Sequence, residues 1–407
     1  MKRPSRREDQ RACGAVETAH DRIVIVDVLR GFSIFGILIV NMLYFSGPYY
    51  GPQFPGIIEA RAGGQLDLLV LYFIRLTAEG KFLSMFSFLF GLSFTLQMTS
   101  VEKKGRDFGS LFRRRLFILL LIGLGHAFLL SAGDVLVQYA LLGFLLLLFR
   151  KSTPQTLLVW AAISLSILLL VSIGSLLAPE PPAVFINQLV ERSLRVYAHG
   201  TWPAILAQRA IDVGFYYLGV IFYSGYLIFA MFLLGAYAGR TRLFHDVEAH
   251  ARLFRKIAWW GFSLGGVGSI ASIAADLTHA GTHSSLHIVA TILLTVGIPA
   301  LSLGYISVIS LLFRRELWQV LLLPLAKVGR MALSNYLFQS VVCNLLFYSY
   351  GLGLYGRISL KFGLLLSVLI FLVQIPLSAW WLKHFRFGPA EWLWRSLTYG
   401  KPQRLAT

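Results

Sequence analysis

Charged residues are scarce in this chain of 407 residues. Asp, Glu, Lys and Arg make up 14% of the sequence, against about 25% in an average soluble protein, and hydrophobic residues make up 57%. Only two cysteines are present, Cys13 and Cys343, so we expect neither a disulfide framework nor a cysteine metal centre. These shortages exclude an ordinary soluble domain and a disulfide scaffold, and no metal site is predicted.

Long apolar segments occupy most of the chain instead. A membrane-spanning helix needs about 20 mostly apolar residues. Ten such segments, each bounded by charge, Gly or Pro, are predicted to cross the membrane: 23–45, 82–99, 114–131, 134–150, 156–177, 215–238, 257–276, 286–312, 330–350 and 361–383. The shorter run Leu66–Leu76 is interrupted by Arg75 and is predicted to be an interfacial or half-buried helix. The predicted fold is therefore an all-α, polytopic membrane bundle of about ten helices.

The distribution of positive charge predicts the orientation of this bundle. Cytoplasmic loops of membrane proteins concentrate Lys and Arg, and with the N-terminus inside, 28 of the 37 Lys and Arg residues fall in predicted inner segments. Both termini are therefore expected in the cytoplasm. The net charge of +18 then marks an inner face that meets anionic membrane lipid. Nucleic-acid binding is not needed to explain it, and the sequence indicates no oligomeric state.

The two ends of the chain differ from the segment between them. Residues 1–21 are predicted to form a disordered, basic cytoplasmic tail before a transmembrane domain of residues 22–383. Residues 384–407 contain Pro389, where a helix can begin, followed by several aromatic residues. Because aromatic rings are enriched at membrane interfaces, this last segment is expected to form an amphipathic helix on the cytoplasmic face.

Three polar residues interrupt the first apolar segment. At about 100° per residue in a helix, Arg30 lies about 60° and Asn41 about 40° from Asp27, so all three share one side. Charged groups within a span are costly and tend to pair or to line a wet cavity. Asp27, Arg30 and Asn41 are therefore candidate substrate-binding residues. The simpler alternative is a local ion pair, because Asp27 and Arg30 lie near the inner end of the span, where an arginine can reach the interface.

A predicted helical hairpin carries the histidine that lies most clearly within a span. This residue, His126, is followed by Asp134 at a tight outer turn. A buried histidine is often only a satisfied hydrogen-bonding group, but a nearby carboxylate that orients its imidazole favours a general base. Asp134 is predicted either to cap the next helix or to be that carboxylate. His126 and Asp134 are thus the candidate catalytic pair.

A third polar cluster lies in the segment GRMALSNYLFQSVVCN. It includes Arg330, Asn335 and Gln339, and the two amides are four residues apart, so they are neighbours on one helix face. Amides within a span either line a cavity or hydrogen-bond to another helix. The sequence leaves both alternatives open, and the three residues are added to the candidate substrate-binding set.

The chain contains five motifs in this order: DVLRGFSIFGILIVNM, FLSMFSFLFGLSF, GHAFLLSAGDVLVQYALLG, GRMALSNYLFQS and FRFGPAEWLWRSLTYG. Together they resemble the YeiB-type bacterial membrane proteins over nearly the whole chain. The resemblance implies a multi-pass protein of the bacterial cytoplasmic membrane. That family is similar in layout to the wider transmembrane acyltransferases, which include heparan-alpha-glucosaminide N-acetyltransferase and bacterial cell-surface O-acetylases. Those enzymes take acyl-CoA from the cytoplasmic side and use a membrane-embedded histidine to acylate a sugar on the other side.

This resemblance implies that His126 is the general base and that Asp27 and Arg30 lie near the inner mouth of a cavity. It also implies acyl-CoA as co-substrate, a hydroxyl or amine of the cell envelope as acceptor, and no bound cofactor. The residues themselves leave a second class open, a transporter or carrier of a small metabolite or lipid. A sensor or assembly partner without catalysis is a third class. Release of free CoA that depends on His126 would distinguish the enzyme from the carrier.

Overall fold

The fold is all-α throughout the part of the chain that the structure describes. A computed structural model describes residues 23–48, 55–59, 61–105, 107–177, 182–278 and 284–406. The predicted tail of residues 1–21 lies outside these residues. Within them the chain forms fifteen helices and no strand beyond one isolated bridge between Phe385 and Ala406.

Each of the ten predicted spans coincides with a helix. In chain order the helices are α1 (Val24–Phe45), α2 (Pro55–Glu59), α3 (Gln65–Thr77), α4 (Lys81–Glu102), α5 (Phe108–Leu129), α6 (Leu136–Leu148), α7 (Pro154–Leu176), α8 (Ala183–His199), α9 (Trp202–Arg240), α10 (Ala251–Leu277), α11 (Ser285–Leu312), α12 (Glu316–Arg330), α13 (Ala332–Phe347), α14 (Leu360–His384) and α15 (Pro389–Tyr399). The run Leu66–Leu76 forms α3, and the helix expected after Pro389 is α15. Helices α2, α8 and α12 were not predicted.

Several of these helices can cross a membrane. Among the described residues, six helical segments are long and apolar enough: Val24–Phe45, Gln65–Glu102, Pro154–Leu176, Ala251–Leu277, Ser285–Leu312 and Leu360–His384. Helices α6 and α13 are shorter and also apolar. A helix satisfies its backbone hydrogen bonds internally, as lipid requires. The chain is therefore a multi-pass membrane protein, and the total of ten spans and their orientation stay predictions.

The bundle has two distinct ends. At the first end, called here the basic end, α1 begins and α9 and α14 end. Helix α15 lies at the same end. There Arg240 at the end of α9 donates to the Phe149 carbonyl at 2.9 Å, and the Trp394 indole donates to the Arg115 carbonyl at 2.9 Å. At the opposite end, the rings of Tyr197 and Tyr348 stack at 4.7 Å. The segments that contain most of the Lys and Arg residues thus meet at one end.

Helix α12 crosses α1 at very short range. A Cβ on Gly329 would lie 1.9 Å from the Asp27 carbonyl oxygen, and one on Gly31 would lie 2.1 Å from the Leu325 carbonyl oxygen. Only glycine allows two backbones to approach this closely. The segment 313–330 was expected to be a connection between spans, and it instead places its C-terminal end against the turn of α1 that contains Asp27.

Candidate functional site

A cavity of about 470 Å³ opens at the basic end. The composition of its wall changes with depth. Cationic side chains lie at the more exposed part of the wall: Lys103, Arg115, Arg242, Arg386 and Arg395. The buried part is apolar and aromatic: Ile34, Ile37, Leu119, Leu136, Tyr139 and Tyr336. A site with this order of groups suits a ligand that has an anionic head and an apolar or acyl end.

The predicted ion pair of α1 lies in the wall of this cavity. Arg30 donates from Nη1 to Asp27 Oδ1 at 2.9 Å and from Nη2 to the Ser93 hydroxyl of α4 at 2.5 Å. Asp27 is 3% exposed, whereas 28% of the Arg30 side chain is exposed. Arg330 lines the same cavity. The cavity wall on α1 ends one turn before Asn41, so the predicted polar stripe is longer than the cavity.

A chain of hydrogen bonds joins three buried side chains deeper in the bundle. Asp134 Oδ1 lies 2.8 Å from His126 Nδ1, and His126 Nε2 lies 2.8 Å from Ser340 Oγ. The second carboxylate oxygen accepts from the Val137 N–H at 2.8 Å. Asp134 lies one residue before the N-cap, Val135, but its carboxylate still accepts from an N-terminal N–H of α6 and also contacts the imidazole. Because Nδ1 faces a carboxylate we assign the proton to it, which leaves Nε2 as the acceptor for the Ser340 hydroxyl.

The end of α5 that holds His126 is fixed by a buried arginine. Arg209 of α9 is 0% exposed and donates to the Leu129 carbonyl and, at 2.9 Å, to Asn344 Oδ1. The Asn344 amide in turn donates to the Leu130 carbonyl at 2.9 Å. These bonds satisfy carbonyl groups that the end of a helix leaves without a partner. Arg209 lies outside the predicted spans, and its role was not predictable because the residues that it contacts are distant in sequence.

Tyr336 separates the cavity from His126. Its ring lines the cavity and lies 4.9 Å from the imidazole, centroid to centroid. His126, Asp134 and Ser340 themselves do not line it. The buried phenol oxygen approaches the Val135 backbone but makes no hydrogen bond of ordinary geometry within the described residues. The imidazole therefore lies directly behind a side chain of the cavity wall.

Comparison with known proteins gives a consistent family assignment. Residues 238–401 match a family described as a protein of unknown function (DUF418). The chain is 37% identical over 404 residues to the uncharacterized protein YxaH of Bacillus subtilis, covering 95% of this chain and 96% of YxaH. It is 30% identical over 394 residues to the uncharacterized protein YeiB of Escherichia coli, covering 93% of this chain and 96% of YeiB. The chain belongs to the YeiB-type family.

Both candidate amides of this YeiB-type protein join helices. The Asn335 amide donates to Ser378 Oγ at 3.0 Å and to the Val328 carbonyl at 3.1 Å. The Gln339 amide donates to Gln374 Oε1 at 2.8 Å. Neither residue lines the cavity. Of the two alternatives open for these amides, their contacts match the interhelical hydrogen bonds.

Helix α15 forms one side of the cavity mouth in this YeiB-type protein. The Arg115 guanidinium lies 3.9 Å from the centroid of the Trp394 ring. The Arg395 guanidinium lies 4.5 Å from that of Phe387. Both arginines line the cavity, so two aromatic rings hold cations at its mouth. The sequence predicted an interfacial helix here but gave no sign that it contributes to a cavity.

A glutamate of α15 also holds the start of α13. Glu391 Oε1 accepts from the Leu333 N–H at 2.7 Å and from the Ser334 N–H at 3.2 Å. These are the orphan donors at a helix N-terminus, where a carboxylate is favourable. Burial raises the pKa of Glu391, although these hydrogen bonds act in the opposite direction. The C-terminal helix thus positions α13, which provides Tyr336 and Ser340.

Proposed function

We propose that this protein transfers an acyl group from cytoplasmic acyl-CoA to a hydroxyl or amine acceptor of the cell envelope, with His126 as the general base. One observation carries the proposal. The cavity is cationic at its mouth and apolar in its depth, and it ends at Tyr336, whose ring lies 4.9 Å from an imidazole that a buried carboxylate orients.

The proposed donor matches the two parts of the cavity wall. CoA has several phosphates, and arginines bind phosphate well because they donate two parallel hydrogen bonds. Arg115, Arg395 and Lys103 line the mouth where those phosphates would lie. The acyl end would then enter the apolar part, beside Tyr139 and Tyr336. In this proposal acyl-CoA is a co-substrate, and no resident cofactor takes part.

The proposed chemistry needs a base close to the reacting carbonyl. The thioester C–S bond breaks, a new bond forms from the acyl carbon to the acceptor oxygen or nitrogen, and the acceptor proton passes through His126 to the CoA sulfur. Asp134 holds the imidazole in the tautomer that accepts a proton and stabilises the imidazolium. Proton transfer of this kind contributes about 10²- to 10⁴-fold to a rate.

The proposed setting is the bacterial cytoplasmic membrane, with both termini in the cytoplasm. Relatives from Bacillus subtilis and Escherichia coli support a bacterial origin. The concentration of Lys and Arg at the basic end supports a cytoplasmic position for the cavity mouth. Membrane lipid would surround the bundle, and the acceptor would reach His126 from the opposite end.

One observation favours the second candidate function, a transporter or carrier of a small metabolite or lipid. His126 does not line the cavity, so an anionic solute can occupy the same cationic mouth without contacting the imidazole. A carrier would bind acyl-CoA weakly or not at all, and it would move its solute without breaking a thioester.

The test measures free-thiol release by the purified protein in detergent from acetyl-, succinyl- and palmitoyl-CoA, together with the shift in melting temperature that each compound causes. His126→Ala should lower thiol release by at least about 10²-fold and should keep the thermal shift. The control His384→Ala changes an exposed histidine at the end of α14 and should leave release unchanged. If no acyl-CoA binds to the wild type, the enzyme proposal is wrong and the carrier is favoured.

A further inference from the structure

Asp134, His126 and Ser340 have the order of contacts found in a Ser-His-Asp triad. The carboxylate lies 2.8 Å from Nδ1, and Nε2 lies 2.8 Å from the serine Oγ. With the proton on Nδ1, the serine hydroxyl donates to Nε2, which is the arrangement in which an imidazole removes a serine proton. Such triads recur on unrelated folds and are recognised by geometry and not by sequence position.

The contacts of Ser340 differ from those of a purely structural serine. A serine within a helix commonly bonds the carbonyl four residues earlier. Ser367 of α14 does so, with its Oγ 3.0 Å from the Gly363 carbonyl oxygen. Ser340 approaches the corresponding Tyr336 carbonyl only at 3.3 Å, whereas its bond to His126 is 2.8 Å. The imidazole is therefore its principal partner.

Ser340 also blocks the base from any other nucleophile. Within the described residues, His126 Nε2 has Ser340 Oγ as its one hydrogen-bond partner, and both side chains are buried, at 3% and 1% exposure. An acceptor hydroxyl would have to displace Ser340 before this nitrogen could take its proton. The proton that His126 can remove without rearrangement is that of Ser340.

We propose that Ser340 is the nucleophile and that the acyl group passes through an ester on its Oγ. This inference rests on the proposed acyl-CoA activity and deepens it. Transfer then takes two steps, and the acyl donor and the acceptor need not be bound at the same time. A covalent intermediate suits a reaction whose donor and acceptor approach from opposite ends of the bundle.

Tyr336 provides a donor for the charge that develops on the carbonyl oxygen. It lies one turn before Ser340 on α13 and lines the cavity. Its buried phenol makes no hydrogen bond of ordinary geometry within the described residues. A phenol O–H that donates to the carbonyl oxygen stabilises a tetrahedral oxyanion. Its ring also separates the cavity from Ser340, so entry of the acyl group requires this side chain to rotate.

Both steps balance without any further reactant. In the first, Ser340 Oγ attacks the thioester carbon, the C–O bond forms and the C–S bond breaks. The serine proton passes through His126 to the CoA sulfur, which leaves as the free thiol. In the second, the acceptor hydroxyl or amine gives its proton to His126 and attacks the ester carbon. Ser340 Oγ leaves and takes the proton back.

The experiment incubates the purified full-length protein in detergent with the acyl-CoA that releases most thiol, and without acceptor. Intact-protein mass spectrometry and peptide mapping should find one acyl group on the peptide that contains Ser340, together with a burst of CoA. Ser340→Ala should form no adduct and should release thiol at least about 10²-fold more slowly than the wild type. Ser340→Cys should instead form a thioester that neutral hydroxylamine removes. The matched control Ser367→Ala should keep both adduct and burst.

The outcomes separate this inference from the function on which it rests. Thiol release that depends on His126 but continues in Ser340→Ala, with no acylated peptide in the wild type, would overturn the role of Ser340 and leave the acyltransferase. Absence of acyl-CoA binding and of thiol release in the wild type would overturn both. If Ser340→Ala does not fold, the wild-type adduct and the hydroxylamine-sensitive Ser340→Cys adduct still decide, because neither depends on that variant.

Discussion

Replacement of Asp134 by Asn should preserve the fold of the α5–α6 hairpin and remove most of the activity. The carboxylate takes two contacts at 2.8 Å, from His126 Nδ1 and from the Val137 N–H. An asparagine has one acceptor oxygen, and the fixed backbone donor of Val137 takes it. The asparagine NH₂ group then faces His126 Nδ1, so the imidazole carries its proton on Nε2 and can no longer accept the proton of Ser340.

The magnitudes follow from these two contacts. A general base held in the wrong tautomer loses its contribution of about 10²- to 10⁴-fold in rate. Asp134→Asn keeps both hydrogen bonds, so its free energy of unfolding should change by less than about 1 kcal/mol. Asp134→Ala leaves the buried Val137 N–H and the imidazole without partners, which costs about 1–3 kcal/mol for each group.

The assay compares thiol release and melting temperature for the wild type, Asp134→Asn and Asp134→Ala. We expect Asp134→Asn to melt near the wild type and to share the low activity of Asp134→Ala. An Asp134→Asn variant with activity within tenfold of the wild type would refute the argument that this carboxylate sets the tautomer. An Asp134→Asn variant that melts as low as Asp134→Ala would show that the asparagine does not keep the cap.

The crossing of α1 and α12, the cavity mouth and helix α15 each allow a further test. Gly329→Ala should lower the melting temperature, because its Cβ would lie 1.9 Å from a carbonyl oxygen of α1, whereas Gly125→Ala, with nothing within 4 Å, should not. Arg115→Gln and Arg395→Gln should each raise the KM for acyl-CoA by about two- to fivefold at unchanged kcat, because a partly exposed charge contact contributes about 0.5–1 kcal/mol, and an unchanged KM would contradict a phosphate site at the mouth. Burial raises the pKa of Glu391 above its ordinary value of 4.5. Between pH 4.5 and this raised pKa, the folded state therefore binds more protons than the unfolded state. In that pH range the free energy of unfolding of the wild type should fall with rising pH relative to that of Glu391→Gln, and melting curves of the two proteins would measure the difference.

The helices that were predicted share a local cause. Each predicted span is an apolar run whose tendency to leave water depends on its own side chains, and each is a helix. Helix α12 lacks this signal because it has charged residues near both ends and Pro324 in its interior. It is stabilised by the crossing with α1, where Gly31 and Gly329 approach the opposite backbone. That contact depends on a partner about 300 residues away in sequence, so composition could not indicate it.

The contacts of the candidate site also divide into local ones, which were predictable, and distant ones, which were not. His126 and Asp134 are eight residues apart on one tight hairpin, so their proximity was predictable from the hairpin alone. Ser340 meets the same imidazole from 214 residues away. Asn335 and Gln339 looked equally suited to a cavity, yet their amides bond to α12 and α14. Their role depends on which helices they face, and the sequence of α13 alone does not show that.

The sequence by itself determined that this protein lies in a membrane, that it is helical, which segments are rich in Lys and Arg, and that one hairpin joins His126 to Asp134. Each of these properties depends on residues that are close together in sequence, through their transfer from water to lipid and their helical periodicity. The tertiary structure alone decided that Tyr336 faces the cavity, that Ser340 meets His126, and that α15 forms part of the mouth. Those contacts join residues from distant parts of the chain, and the packing of whole helices brings them together.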